Sequence, residues 1–186
     1  EPEPEQLYVI DPSYSWDFRR SWPDNKVVDE AERELHSTMN NLIQDACGAL
    51  FDGSDLQYID IESWDLSLPF SIEGFITTST SMKSEQKLLI IDSPTSSGKV
   101  LFLGSDGNNN LELTISDGTY YNVNIIDNFF VSNEIIHFVI TIDTNGIITA
   151  YKNSIESINT GTVDTNLFDN ISKDYNFTLS TGLTNK

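Results

Sequence analysis

After Gly48 the apolar residues recur in short runs, many alternating with polar ones, and turn-forming residues separate the runs. A period of two puts one class of side chain on each face of an extended chain, so each run predicts a half-buried strand. Gly48 to Phe51 is the first. It ends in the Asp52-Gly53 turn, and Tyr58, Ile59 and Ile61 resume β character. Phe70-Ser71-Ile72-Glu73-Gly74-Phe75-Ile76, Leu88 to Ile91 and Val100 to Leu103 follow. Leu111, Leu113 and Ile115 alternate with Glu112, Thr114 and Ser116, a strand with one wet face. Tyr120 to Ile126 comes after a turn at Asp117-Gly118. Ile135 to Ile142 is apolar on both faces apart from His137 and Thr141, which predicts a central strand. Asp143-Thr144-Asn145-Gly146 predicts a hairpin turn, because Asn-Gly supplies the positive φ angles that tight hairpins need. Ile147 to Lys152 returns from it, and Tyr175, Phe177 and Leu179 alternate in a late strand. About ten short strands at roughly 8–15-residue spacing predict an all-β fold, an antiparallel two-sheet sandwich (jelly roll), and not a parallel α/β sheet.

The residues before Gly48 are less regular. Residues 1–6 are a Pro/Glu segment expected to be flexible, and residues 7–186 are expected to form a single domain. Leu7 to Ile10 is a candidate edge strand. Tyr14-Ser15-Trp16-Asp17-Phe18-Arg19 alternates as a half-buried strand does, with Trp16 in the core. Val28, Ala31, Leu35, Met39 and Leu42 recur near helical spacing, which predicts one short helix in 27–40.

Charge narrows the choice of partners. The 186 residues carry a formal charge of −19 with only ten Lys and Arg. Binding a nucleic-acid backbone or an anionic membrane is disfavoured, because phosphate affinity rests on cationic contacts. Membrane insertion is not expected, since no apolar run approaches the ~20 residues of a spanning helix. No signal peptide is visible at Glu1-Pro2-Glu3, so the sequence reads as a mature form or a slice of something longer. One cysteine, Cys47, precludes an intrachain disulfide. Asn170-Ile171-Ser172 and Asn176-Phe177-Thr178 are glycosylation sequons, making Asn170 and Asn176 the candidate acceptors.

Five segments, in order, resemble the laminin-G-like, or concanavalin A-like, jelly-roll family. Trp16-Asp17-Phe18-Arg19 resembles its opening strand. Phe51-Asp52-Gly53 with Tyr58-Ile59 resembles its Phe-Asp-Gly…Tyr-Val element, and Phe70 to Ile76 its following strand. Ile136-His137-Phe138-Val139-Ile140 is similar to its Trp-x-His-Val-Ala strand, and Tyr151-Lys152-Asn153-Ser154 to its Tyr-x-Asn-Gly turn. The resemblance implies a recognition or adhesion scaffold on an extracellular, cell or virion surface. Such domains usually finish with another strand beside the first. This sequence stops at Lys186, so that strand is expected to be absent, replaced by Leu7 to Ile10, or supplied by a partner. The family also suggests a cysteine partner for Cys47 after the opening strand, where Ser21 stands.

A minority of the family cleaves glycans, placing carboxylates on alternate residues of one strand, with two about 5 Å apart. The nearest match is Tyr58-Ile59-Asp60-Ile61-Glu62, where Tyr58 stands in the nucleophile's place, so no enzyme is expected. His137 on an apolar strand reads as a satisfied core histidine. His36 and His137 lack a nucleophile-elbow serine or metal-ligand spacing. Cys47 reads as a buried, inert thiol. No cofactor is required. Ca²⁺ is the one cofactor the loops suggest, at Asp106-Gly107-Asn108-Asn109-Asn110-Leu111-Glu112 or around Asp52 and Asp55, although Leu111 excludes an EF-hand. Sugar recognition uses exposed aromatics beside hydrogen-bonding groups, and Trp64, Tyr120, Tyr121 and Trp22 are the candidates nearest strand ends, with Phe129 and Phe130 behind them.

The function expected is therefore a non-catalytic module that binds a glycan or protein. The alternatives are an assembly subunit (filament or capsid) completed by a partner strand and, third, a glycoside hydrolase.

Overall fold

The computed structural model describes residues 16–20, 23–27, 30, 37–46, 48–51, 57–61, 67–78, 87–92, 99–117, 120–159, 161–168 and 176–179. Its strands, in chain order, are β1 (Lys26–Val27), β2 (Ser37–Asn40), β3 (Ile43–Asp45), β4 (Gly48–Leu50), β5 (Tyr58–Ile61), β6 (Phe70–Thr77), β7 (Lys87–Asp92), β8 (Lys99–Ser105), β9 (Leu111–Asp117), β10 (Tyr120–Ile126), β11 (Ile135–Ile142), β12 (Ile147–Lys152), β13 (Ile155–Glu156), β14 (Gly161–Thr162) and β15 (Asn176–Leu179). They form an antiparallel β-sandwich. One sheet runs β1-β2-β5-β15-β7-β8-β9-β10, and the other runs β13-β12-β11-β6 with β14 also paired to β12. A separate hairpin joins β3 and β4.

Alternation builds the core. In β11, Ile136, Phe138, Ile140 and Ile142 are buried, while Ile135, His137, Val139 and Thr141 turn outward. The register sets these inward residues against Ile76, Gly74, Ile72 and Phe70 of β6. The large sheet answers with Leu101 and Leu103 of β8 and Leu111, Leu113 and Ile115 of β9. Two close approaches explain two glycines. A Cβ at Gly74 would lie 2.9 Å from the Phe138 ring, and one at Gly161 would lie 2.3 Å from Val123 Cγ1, where β14 meets β10 of the opposite sheet. Most buried polar groups among the described residues have partners: Ser37 Oγ donates to Val27 O, Gln57 Nε2 to Asn41 O, and Ser105 Oγ accepts from Gly107 N, whereas Asn109 Oδ1 has none. These bonds stabilise loops and strand ends.

Several expectations change. Trp16 packs against the core but is only partly buried; it makes a single β-bridge, and the chain turns at Phe18 to Arg20 instead of continuing a strand, while Tyr14 and Ser15 lie outside the described residues. Asp17 causes this, because it accepts hydrogen bonds from Arg19 N, Nε and Nη2 and bends the chain locally. In 27–40 the described residues include strands β1 and β2 and no helix; Met39 serves the sheet core as a strand residue. The rest of that predicted helix, at 28–29 and 31–36, lies outside the described residues. The wet face of β9 is only partly wet, since Thr114 is buried and its Oγ1 donates to Glu112 Oε1. At the hairpin, Gly146 takes the positive φ, at 77°, and Asn145 does not. Gly146 N donates to Asp143 O, the bond of a four-residue turn whose last residue is the left-handed glycine. β11 lies between β6 and β12 as predicted for an interior strand, yet its outward face is half exposed.

The late strand β15 is hydrogen-bonded on both sides, to β5 and β7. Among the described residues the sheet edges are β1 and β10 in the large sheet, and β6 on one side and β13 with β14 on the other in the small one. Leu7 to Ile10 lies outside the described residues.

Candidate functional site

The outer face of the small sheet carries a cluster of unburied apolar side chains on regular strands. β6 alternates Phe70, Ile72, Gly74 and Ile76 inward with Ser71, Glu73, Phe75 and Thr77 outward. Phe75 is therefore the one apolar side chain in the polar phase of its strand. It is 72% exposed, and Ile135, diagonal to it on β11, is 70% exposed. Phe75 stacks on its register partner His137, with ring centroids 4.6 Å apart and planes 25° apart. His137 Nε2 lies 2.7 Å from Glu73 Oε1, and since a carboxylate can only accept, the imidazole donates. The next row outward is Glu73, Val139, Tyr151 and Glu156, one residue from each of β6, β11, β12 and β13. At ~4.8 Å per strand that row spans about 14 Å.

The rim is acidic and internally bonded. Asn153 links the end of β12 to β11: its Oδ1 accepts from His137 N, and its Nδ2 donates to Glu134 Oε1 at 3.0 Å. Among the described residues no Lys or Arg occupies an outward position on β6, β11, β12, β13 or β14. Lys152 is in register with the inward Phe138, and its Nζ donates to Asn128 O.

Two loops are organised by aspartate. Burial alone would push the Asp106 carboxyl up, but N–H donors from Asn108 and Asn110, backbone and side chain, together hold it below the usual carboxylate range. Asp143 is held low by the N–H of Ile147, and then by Asn145. Asp17 is pulled down to about 2, chiefly by the Arg19 guanidinium. Among the described residues no group of three His, Cys, Asp or Glu is placed to hold a metal ion. Asp52 and Asp55 lie outside the described residues.

The sequence-derived candidates fall elsewhere. Trp22, Trp64, Asn170, Cys47 and His36 lie outside the described residues. Tyr121 is on β10, the edge strand of the large sheet, opposite Ile115 and 51% exposed. Tyr120, also on β10, pairs with Ser116 of β9. Asn176 opens β15 in register with Asp92. Phe129 and Phe130 are buried in edge-to-face contact, 4.8 Å between centroids, and belong to the core. On β5, Ile59 and Ile61 are buried while Asp60 points out. Its outward neighbour is Tyr58; Glu62 lies outside the described residues. His137 is satisfied as expected, but on the outer face and not in the core. The sequence signal for the Phe75 cluster was its phase: an aromatic in the polar half of an alternating strand.

No protein-family model and no curated protein sequence matches the chain. Solved structures do match its fold. The botulinum neurotoxin type G receptor-binding domain aligns with a TM-score of 0.65 at 15% identity over 95% of this chain. The binding domain of botulinum neurotoxin DC, solved with rat synaptotagmin II, aligns at 0.62 and 17% identity over 90% of this chain. A structure of botulinum neurotoxin type C, whose cell entry depends on interaction with two ganglioside molecules, aligns at 0.58 and 15% over 92%. The chain spans 44% of the length of each of these three. At these identities the likeness is one of fold: this chain is an antiparallel β-sandwich similar to part of the neurotoxin receptor-binding domains.

Proposed function

We propose that this chain is a non-catalytic recognition module of the laminin-G-like class, binding a macromolecular ligand, glycan or protein, at an extracellular or cell surface. The observation that carries the proposal is the outer face of the small sheet. A large aromatic and an aliphatic side chain, Phe75 and Ile135, are held in the open on regular strands, where alternation would place polar groups. Exposed apolar groups clustered on a face are what an interaction surface requires. The fold supports the same direction, since the aligned structures are receptor-binding domains, among them one solved with synaptotagmin II and one from a toxin that uses gangliosides. Because the match covers less than half of each, the ligand-contacting parts of those proteins need not be shared.

The test is binding of the fluorescently labelled chain to a panel of cultured cells and to a glycan array, each with and without Ca²⁺. Saturable binding that unlabelled chain competes away is expected. Absence of saturable binding on every cell type and every glycan would overturn the proposal.

A further inference from the structure

We infer that the outer face of the small sheet, centred on Phe75 and Ile135 and rimmed by Glu73, Glu134 and Glu156, docks a protein segment presenting lysine or arginine beside apolar side chains. The inference rests on the recognition function proposed above and names the partner's chemistry.

The apolar part comes first. From the exposed fractions of Phe75 and Ile135, these two side chains offer on the order of 300 Å² of apolar surface, the scale of a functional patch on a monomer. It lies on two paired strands, so its shape is fixed before a ligand arrives, which spares the ordering cost.

Charge then selects the occupant. Glu73 is 63% exposed, Glu156 is exposed, and Glu134 lies beside Ile135. Among the described residues of this face there is no Lys or Arg to answer them. A partner bringing cations to this rim gains, and the chain's overall −19 steers it inward. A second copy would bring the same carboxylates to the same rim and be repelled. An anionic glycan or lipid headgroup meets the same repulsion.

A neutral glycan is disfavoured for a different reason. Sugar sites need several hydrogen-bonding groups free to reach hydroxyls. Here the imidazole, carboxylate and amide groups already bond to one another: His137 to Glu73, and Asn153 to both His137 N and Glu134. Beyond the scattered hydroxyls of Thr77 and Tyr151, what the face offers is apolar surface and negative charge. An Arg or Lys with a neighbouring Leu, Phe or Trp matches both, and the open side of the Phe75 ring can also take a cation.

The experiment pans a random 12-residue peptide phage library against the intact chain, then measures selected synthetic peptides by fluorescence anisotropy at 50 and 300 mM NaCl. The expected result is enrichment of Lys or Arg adjacent to apolar residues, with affinity falling as salt rises. Phe75→Ser and, separately, Ile135→Ser should weaken binding at least tenfold. Glu73→Gln should weaken it several-fold and flatten the salt dependence. Asn122→Ala, on the exposed side of the other sheet, should leave it unchanged, and circular dichroism should show each variant folded. No enrichment, selected peptides without cations, or loss on Tyr121→Ser but not on Phe75→Ser would overturn the inference. The cell assay separates the two levels. Cell binding that survives Phe75→Ser and Glu73→Gln refutes this face while leaving a recognition module, whereas no cell or glycan binding by the unaltered chain refutes both.

Discussion

The packing of β6 against β11 makes a sharp prediction at Gly74. In a strand interior, Gly→Ala ordinarily stabilises by about 0.5–1 kcal/mol, because glycine has more freedom to lose on folding. At Gly74 the sign should reverse. The new Cβ would sit 2.9 Å from Phe138 Cε1 and 3.0 Å from Cζ, against an ordinary carbon contact of about 3.5–4.0 Å. The ring cannot simply swing aside. Phe138 is buried, and Phe129 meets it edge-on with centroids 5.8 Å apart and planes at 81°. Phe129 is in turn held by Phe130. Overpacking a fixed core costs about 1–3 kcal/mol, so the net expectation for Gly74→Ala is a loss of about 1 kcal/mol.

Urea unfolding followed by tryptophan fluorescence measures this directly. The midpoint should fall with an unchanged slope, and the thermal midpoint should drop by about 2–4 °C for a chain of this size. A double-mutant cycle isolates the cause. Phe138→Leu removes the ring edge, so Gly74→Ala in that background should be neutral or stabilising, giving a coupling of about 1 kcal/mol or more. A Gly74→Ala protein as stable as the parent, or additive single and double variants, would refute the claim that the Phe138 ring dictates glycine here.

Three further outcomes follow from the same packing. Gly146→Ala should cost about 2–3 kcal/mol in the same urea assay, because φ is 77° and a Cβ would clash with Val163 O, whose residue donates its N–H to Gly146 O. Adjacent residues on opposite faces of β11 should differ sharply: Ile136→Ala should cost about 2–5 kcal/mol and Ile135→Ala within about 0.5 kcal/mol, and equal effects would contradict the register. Asp17 and Asp143 have folded pKa values below their unfolded ones, so their stabilisation is present above about pH 4 and is lost as pH falls below it, for Asp17 as pH approaches about 2. Asp143→Asn should therefore show a shallower loss of thermal midpoint between pH 4 and 2 than the parent, and an identical acid limb would sink the assignment.

What the sequence disclosed is uneven for physical reasons. Alternation is a local property, so the strands from β4 on could be placed within a few residues, except β13 and β14, whose two residues each are too short to alternate, and Ile136, Phe138 and Ile140 could be assigned to one face without coordinates. Before Gly48 the signals conflict. Val28, Ala31, Leu35 and Met39 fit a helix by spacing, but Met39 is a strand residue beside Ile59, because pairing with β5 outweighs a weak propensity. Trp16 to Arg20 alternates like a strand, yet Asp17 has a closer set of donors in its own turn. The candidate site was missed for a related reason. Aromatics near loops, such as Tyr121 and Trp64, draw attention by position. Phe75 sits mid-strand, and only its phase against Phe70, Ile72 and Ile76 marks it as outward. His137 reads as inward because its strand is apolar; knowing the register with Glu73 and Phe75 requires the pairing of segments more than sixty residues apart.

Stability and recognition meet on β6, which is why Gly74 matters beyond packing. Gly74 and Phe75 are neighbours pointing to opposite faces, and among the described residues β6 is hydrogen-bonded only to β11. The inward side chain therefore fixes how closely β6 lies on the core, and the outward one is carried with it. If the Gly74→Ala methyl pushes β6 away from Phe138, Phe75 must leave its 4.6 Å stack on His137, and Glu73 must lengthen its bond to the same ring. Gly74→Ala should then weaken peptide binding even well below its thermal midpoint, where nearly all molecules are folded. Ile136→Ala is the contrasting case. It removes volume beneath β11, which is held by strands on both sides, so it should lower stability more and binding less. Binding that merely tracked stability across these two variants would mean that β6 does not carry the docking surface as a unit.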